Sequence, residues 1–140
     1  IRYRTGDITR ILPGTCPCGR GHSRLDRIKG RTDDMFVIKG VNVFPVQVEQ
    51  ALMGIPEVGQ NYLIILESVD RMDTMRIKVE MQPDIFQENM RYLKQLQSKI
   101  THDLRNELLI TPKVELAQPN TLPRPQGKAV RVEDRRAQST

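Results

Sequence analysis

Between residues 62 and 116 the apolar residues change their period more than once, and that switching constrains the fold more than any other feature of the chain. Tyr62 to Leu66 is a continuous apolar run, the pattern of a strand buried on both faces. Met75, Ile77, Val79 and Met81 then alternate with Thr74, Arg76, Lys78 and Glu80, which reads as a strand with one wet face. Phe86, Met90, Leu93, Ile100, Leu104 and Leu108 follow at spacings of three, four or seven and form one helical stripe. Asp84, after Pro83, is placed to cap this helix and Pro112 to stop it, and Val114 and Leu116 make a final short strand.

The same reading extends upstream. Met35-Phe36-Val37-Ile38 and Val41-Asn42-Val43-Phe44 flank Gly40 and predict a hairpin. Pro45 suits the first position of a helix, where its missing N–H has no partner anyway. Val48, Leu52 and Ile55 continue that helix, and Gly54 and Pro56 end it. From residue 35 the order is strand, helix, strand, strand, helix, strand. The expected class is α+β, a small split β-α-β (ferredoxin-like) domain with two helices on one face of an antiparallel sheet. Such a fold implies no function by itself. Residues 1–12 read as a strand pair broken at Thr5-Gly6-Asp7, and residues 13–24 as a Gly/Pro/Cys-rich loop.

A length of 140 residues suits one compact domain, with or without an appendage. With 4% aromatics and no Trp, the core must be built from Leu, Ile, Val and Met. No apolar run approaches the roughly 18 residues that span a bilayer. Two cysteines make no disulfide framework, so a cytoplasmic origin is expected. The chain opens with neither Met nor a signal-like segment, which reads as a piece of a longer protein. Charge is unevenly placed. Residues 1–40 hold nine Lys/Arg against four Asp/Glu, residues 41–112 seven against ten, and residues 113–140 six against three. A solvated surface explains such a pattern most simply. A sharper reading has the two basic ends converge on an anion.

Three motifs carry chemistry. In Tyr3-Arg4-Thr5-Gly6-Asp7, a turn aspartate offers two acceptors to neighbouring hydroxyls such as those of a ribose. In Gly30-Arg31-Thr32-Asp33-Asp34, continuing through Ile38-Lys39-Gly40, Arg31 presents a planar fork for phosphate or ribose oxygens. The Asp pair there suits a hinge. In Leu122-Pro123-Arg124-Pro125-Gln126-Gly127-Lys128, followed by Arg131, two prolines stiffen the approach and Gly127 frees the backbone before the lysine. A lysine so carried can neutralise charge developing between a carboxylate and a phosphate. Taken singly, each motif is an ordinary turn or an exposed tail lysine.

In order and spacing, YRTGD, GRTDD with KG, and PRPQGK resemble the last three motifs of the adenylate-forming superfamily. The stretch GRTDDMFVIKGVNVFP resembles its phenylacetate–CoA ligase branch in particular. The resemblance covers nearly the whole chain. It implies ATP-dependent ligation of an aryl acid to coenzyme A through an acyl-adenylate, with Mg2+ accompanying ATP. It also implies a division at the hinge. Residues 1–32 would end a large N-terminal adenylation domain, and residues 33–140 would form a mobile lid. Carried over by position, Asp7 and Arg31 would bind the ribose, and Lys128 would bridge the acid and the α-phosphate. Asp33 would be the hinge, and Lys39 and Gly40 would face the CoA channel after rotation. The partners would be the small-molecule substrates and the chain's own N-terminal domain. A homodimer is left open, and neither membrane nor nucleic acid is expected. The chain would be inactive without its larger domain.

Cys16-Pro17-Cys18-Gly19-Arg20-Gly21-His22 adds a further feature. Cys16 and Cys18 make half of a tetrahedral zinc site, with His22 a weaker candidate. Some members of the ligase branch carry a similar loop, and the remaining ligands for structural Zn2+ would come from the N-terminal domain. Three alternatives stand beside the main reading. One is the same chemistry on another aryl or acyl acid, and another a small regulatory ligand-binding domain. The third is a basic ferredoxin-like RNA-binding module, although the scattered aromatics offer no stacking strand.

Overall fold

The computed structural model describes residues 2–86, 89–124 and 131–136; nothing is described of the Phe86 side chain. The chain opens with a ribbon of four short strands, β1 (Asp7–Ile8), β2 (Ile11–Leu12), β3 (Arg24–Leu25) and β4 (Gly30–Arg31). The expected pairing across Thr5-Gly6-Asp7 does not form. β1 pairs antiparallel with β4 and β2 with β3, around the cysteine loop. The Gly6 and Ile8 carbonyls accept from Thr32 and Lys29 N–H groups, each at 2.8 Å, so both backbone edges of the turn face residues 24–32 instead.

A hairpin follows, β5 (Phe36–Ile38) and β6 (Val41–Val43). Its turn residues Lys39 and Gly40 both have positive φ, 49° and 79°, the geometry that matches the twist of tight hairpins. Helix α1 (Pro45–Met53) starts at the predicted proline, and Val48 and Leu52 are wholly buried.

The main sheet is built on the antiparallel pair β7 (Val58–Val69) and β8 (Met72–Met81), joined by Asp70 and Arg71. After α2 (Pro83–Phe86) and α3 (Met90–Leu108), strand β9 (Lys113–Ala117) lies parallel to β8. Strand β10 (Val132–Asp134) lies parallel to β7, giving the order β10-β7-β8-β9. The α+β class holds, but the sheet is mixed rather than wholly antiparallel. A helical crossover returns the chain to its starting end, so β9 must run with β8. The hairpin of residues 36–43 does not join this sheet but forms its own two-stranded ladder, and β10, which the sequence reading did not include, supplies the fourth strand.

The long helix also departs from expectation at its start. Asn89, not Asp84, caps α3, its side chain accepting from the Tyr92 N–H at 2.9 Å. The helix ends at Leu108, and Leu109 takes a left-handed conformation ahead of Pro112. The buried stripe is Leu96, Ile100, Leu104 and Leu108, while Met90 is exposed and Leu93 half-buried. One core joins α1, α3, the hairpin and the inner faces of β7 and β8. On the outer face Arg76 pairs with Glu67 at 3.0 Å and Glu115 at 3.2 Å, the wet side the alternation foretold.

Candidate functional site

The first two motifs meet. Asp7 on β1 stands opposite Arg31 on β4. The Arg31 fork is engaged by Asp33, with Nη2 donating to Asp33 Oδ2 at 2.7 Å and Nε to Oδ1 at 3.3 Å. That pairing holds the Asp33 carboxyl below its usual range and raises Arg31. Gly6 makes the approach feasible. A Cβ there would lie 2.9 Å from Asp33 Oδ1, and its φ of +78° is one that side chains rarely adopt. Thr32 secures the junction by donating its N–H and its hydroxyl to the Gly6 carbonyl, at 2.8 and 3.2 Å.

Phe44 packs against β4 at Gly30. A Cβ on Gly30 would meet Phe44 Cδ1 at 2.8 Å, so this glycine lets the ring lie flat on β4. The ribbon therefore rests on the residue that also caps α1, whose N–H donates to Gln47 Oε1 at 3.0 Å.

Lys128 lies outside the described residues. Arg131, at the far end of its motif, shares a groove with Arg31 and Asp33. Arg31, Asp33, Asp34, Glu49 and Arg131 line one groove of about 800 Å3. The Arg131 guanidinium sits 4.6 Å from the centroid of the Tyr62 ring, and its Nη1 lies 3.4 Å from Glu49 Oε1. The two basic ends of the chain do meet here. Asp33, Asp34 and Glu49 accompany them, so the groove has mixed charge rather than forming a purely cationic cradle.

Lys39 and Gly40 open on a second groove of about 510 Å3, with Arg71 and Arg136. Arg136 ties this region together. It donates to the Val37 carbonyl at 2.9 Å and pairs with Asp73 at 3.2 Å and Asp134 at 2.6 Å. The Asp134 carboxyl is lowered chiefly by the hydrogen bond from Arg136, and the Asp73 carboxyl chiefly by that from Ser68, with Arg136 adding to it.

The cysteines are free thiols, with Cys18 Sγ 2.8 Å from Cys16 Sγ across a turn closed by Gly19 N–H to Cys16 C=O. Interaction with Cys16 is the main cause lowering the Cys18 thiol. Among the described residues no group of three or more His, Cys, Asp or Glu could hold a metal ion, and His22 does not complete a set with the cysteines. The thiol pair alone thus fits half of a zinc site and no more.

Sequence reasoning missed the residues that receive Arg131. Tyr62 was read as part of a core run and Glu49 as an unremarked helix position. Glu80, assigned to a wet face, is 5% exposed. No local pattern marks these roles, because each partner comes from a distant strand or helix. Among the described residues no helix is long and apolar enough to cross a membrane.

Residues 40–136 match the model of the AMP-binding enzyme C-terminal domain. The chain is 38% identical to a phenylacetate-coenzyme A ligase of Thermus thermophilus, over 94% of this chain and 32% of that protein. It therefore spans about a third of the length of the curated relatives it matches. A solved domain of phenylacetate-coenzyme A ligase from Bacteroides vulgatus shares 41% identity with a TM-score of 0.68, over 74% of this chain and 94% of that one. A 2-hydroxyisobutyryl-CoA ligase in the postadenylation state with R3-HIB-AMP gives a TM-score of 0.81 at 33% identity, over 93% of this chain and 28% of that one. The same ligase with 2-HIB-AMP and CoA in the thioesterification state gives 0.69, at 33% identity over 93% and 27%. With the model matched over residues 40–136, which take in the helices and the whole four-stranded sheet, this chain belongs to the AMP-binding enzyme C-terminal domain family.

Proposed function

We propose that the chain is the lid region of an AMP-forming acid–CoA ligase that acts on phenylacetate or a closely similar aryl acid. The observation that carries this reading is the near-complete coverage of the chain by phenylacetate–CoA ligases, through all three motifs. In this reading residues 1–32 complete a larger nucleotide-binding domain and residues 33–140 move against it, with Asp33 at the pivot. Asp7 and Arg31 hold the ribose. Arg31 is already oriented by Asp33, which lowers the entropy lost on binding. Lys128 bridges the acid carboxylate and the α-phosphate of ATP, where fixed positive charge stabilises the transition state for adenylyl transfer.

Rotation about the hinge then exchanges one face for the other. The Arg31/Arg131 groove serves adenylation, and the Lys39–Gly40 groove faces coenzyme A for thioester formation. The separation of these two grooves supports one domain with two successive tasks. The better fit to a postadenylation state than to a thioesterification state supports a hinge between the parts of the chain.

Magnesium would enter with ATP. Zinc at Cys16 and Cys18 would need further ligands from the larger domain and would brace the loop rather than react. The protein is read as cytoplasmic, and a homodimer is an arrangement its sedimentation can test.

The experiment is Lys128→Ala in the protein that joins this chain to its nucleotide-binding domain, with the half-reactions measured apart. Acid-dependent ATP–pyrophosphate exchange with phenylacetate should fall by a factor on the order of 10² or more. Thioester formation from pre-made phenylacetyl-adenylate and CoA should persist. Exchange that is unaffected, or absent with every aryl acid in the unaltered protein, overturns the reading.

A further inference from the structure

The segment carrying the lysine motif is tied down at both ends by residues outside that motif. After β9 the chain turns at Asn120, whose φ is 61°, and comes back over β7 beside the irregularity between Val58 and Tyr62. There the Leu122 N–H donates to Glu80 Oε1 at 2.7 Å. The other carboxylate oxygen accepts from Asn61 Nδ2 at 3.2 Å. Among the described residues Glu80 is the one charged side chain in the buried class.

A buried carboxylate is an expensive way to fill space. Removing it from water is costly unless its lone pairs are met, and an apolar residue of similar size often serves stability as well. Both donors to Glu80 are neutral. What the carboxylate supplies is direction. It selects one backbone amide 42 residues away, immediately before Pro123, which has no N–H to offer. The far end is held by Tyr62, the residue after Asn61 on β7. Tyr62 lies under the Arg131 guanidinium, and the Arg131 carbonyl accepts from the Ile64 N–H at 2.8 Å. Asn61, Tyr62, Leu122 and Arg131 line one groove.

We propose that Glu80 is a positioning residue for Lys128, one that sets where the lysine motif leaves the sheet. This deepens the proposed ligase function and rests on it. Lys128 is three residues from Arg131 and six from Leu122. Loss of the Glu80 anchor would loosen the Leu122 end of the segment, and a misplacement on the order of 1 Å can cost about 10²-fold in rate.

The test has two arms. In the 140-residue chain, amide hydrogen exchange is followed at Leu122 and, as an internal control, at Ile77. Glu80→Ala should speed exchange at Leu122 by about tenfold or more and leave Ile77 unchanged, whereas Glu80→Gln keeps an acceptor and should restore protection. Asn61→Ala, which removes only the second donor, gives a smaller change in the same direction and serves if Glu80→Ala does not fold. In the ligase that carries the chain, Glu80→Ala should lower kcat of pyrophosphate exchange by a factor of about 10 to 100 with KM for ATP little altered. Thioester formation from the adenylate should be unchanged, and Glu80→Gln should recover the exchange rate. Leu122 exchange that is unprotected in the unaltered chain or insensitive to both variants overturns the anchor. A lost anchor with unchanged pyrophosphate exchange overturns the positioning role. An unaltered protein without ligase activity sinks the functional reading instead, and the exchange arm still judges the anchor.

Discussion

The ribbon of residues 7–31 and the sheet-and-helix body that follows are built on different principles. In the body, Val48, Leu52, Ile64, Ile77, Ile100 and Leu104 are wholly buried around one core. In the ribbon, Ile11, Leu25 and Ile28 are 68%, 64% and 57% exposed, and order comes from backbone ladders and the Gly6–Thr32 junction. A short ladder without a packed face is marginal in water. Yet Asp7, Arg31 and the cysteine loop all lie on the ribbon. The residues proposed to bind the nucleotide thus sit on the part least able to support itself, in keeping with the proposal that this part completes a larger domain.

The sharpest way to break the comparison is a cavity on each side. Leu104→Ala should destabilise the body by about 2–5 kcal/mol, read as a lower denaturation midpoint. Leu25→Ala should stay within about 0.5 kcal/mol. Equal losses would show that the ribbon and body share a core after all.

Next in size is the joint between them. Gly30→Ala sets a methyl group against the Phe44 ring, and overpacking of this kind costs about 1–3 kcal/mol. It should appear as faster exchange of the Thr32 amide with the β7–β8 ladder unaffected. A uniform loss across both regions would contradict that.

Arg136→Ala removes the tie among Val37, Asp73 and Asp134 and should cost about 1 kcal/mol at neutral pH. Its pH dependence has a definite sign. The Asp73 and Asp134 carboxyls are lowered in the folded chain. The stability they confer is therefore complete above their unfolded values of about 3.9 and is lost as the pH falls through the lowered ones. The gap in midpoint between Arg136→Ala and the unaltered chain should be full at pH 7 and shrink in acid. A gap constant down to pH 2 would remove the pairing from the account.

The smallest effect is expected at the hinge. Asp33→Ala removes an exposed partner of Arg31, so stability should barely change, while the KM for ATP in the full ligase should rise as Arg31 loses its orientation. A large loss of stability with normal KM would make Asp33 structural.

What the sequence disclosed follows the same division. The alternation at Met75–Met81, the proline-led helix and the Gly40 hairpin are local periodicities, and each formed where expected. Pairing partners are not local. Nothing in Asp7-Ile8 announces β4, and Val132-Glu133-Asp134 carries too few residues to show a period, so β10 went unseen. At the site, Asp7, Arg31 and Asp33 were legible as motif residues, whereas the contacts of Arg131 with Tyr62 and Glu49 required the sheet to be assembled.

Strand β10 has one more consequence. It lies along the outer edge of β7, pairing with Ile64, Ile65 and Leu66. That stretch is among the most apolar in the chain, and an uncovered apolar strand edge invites other chains to add to it. A protease cut between Leu122 and Arg131 would do more than sever the lysine motif. It would turn the cover of this edge into a separate peptide, free to leave. Such a cut would then be expected to show itself as self-association of the remaining body, seen as visible aggregation.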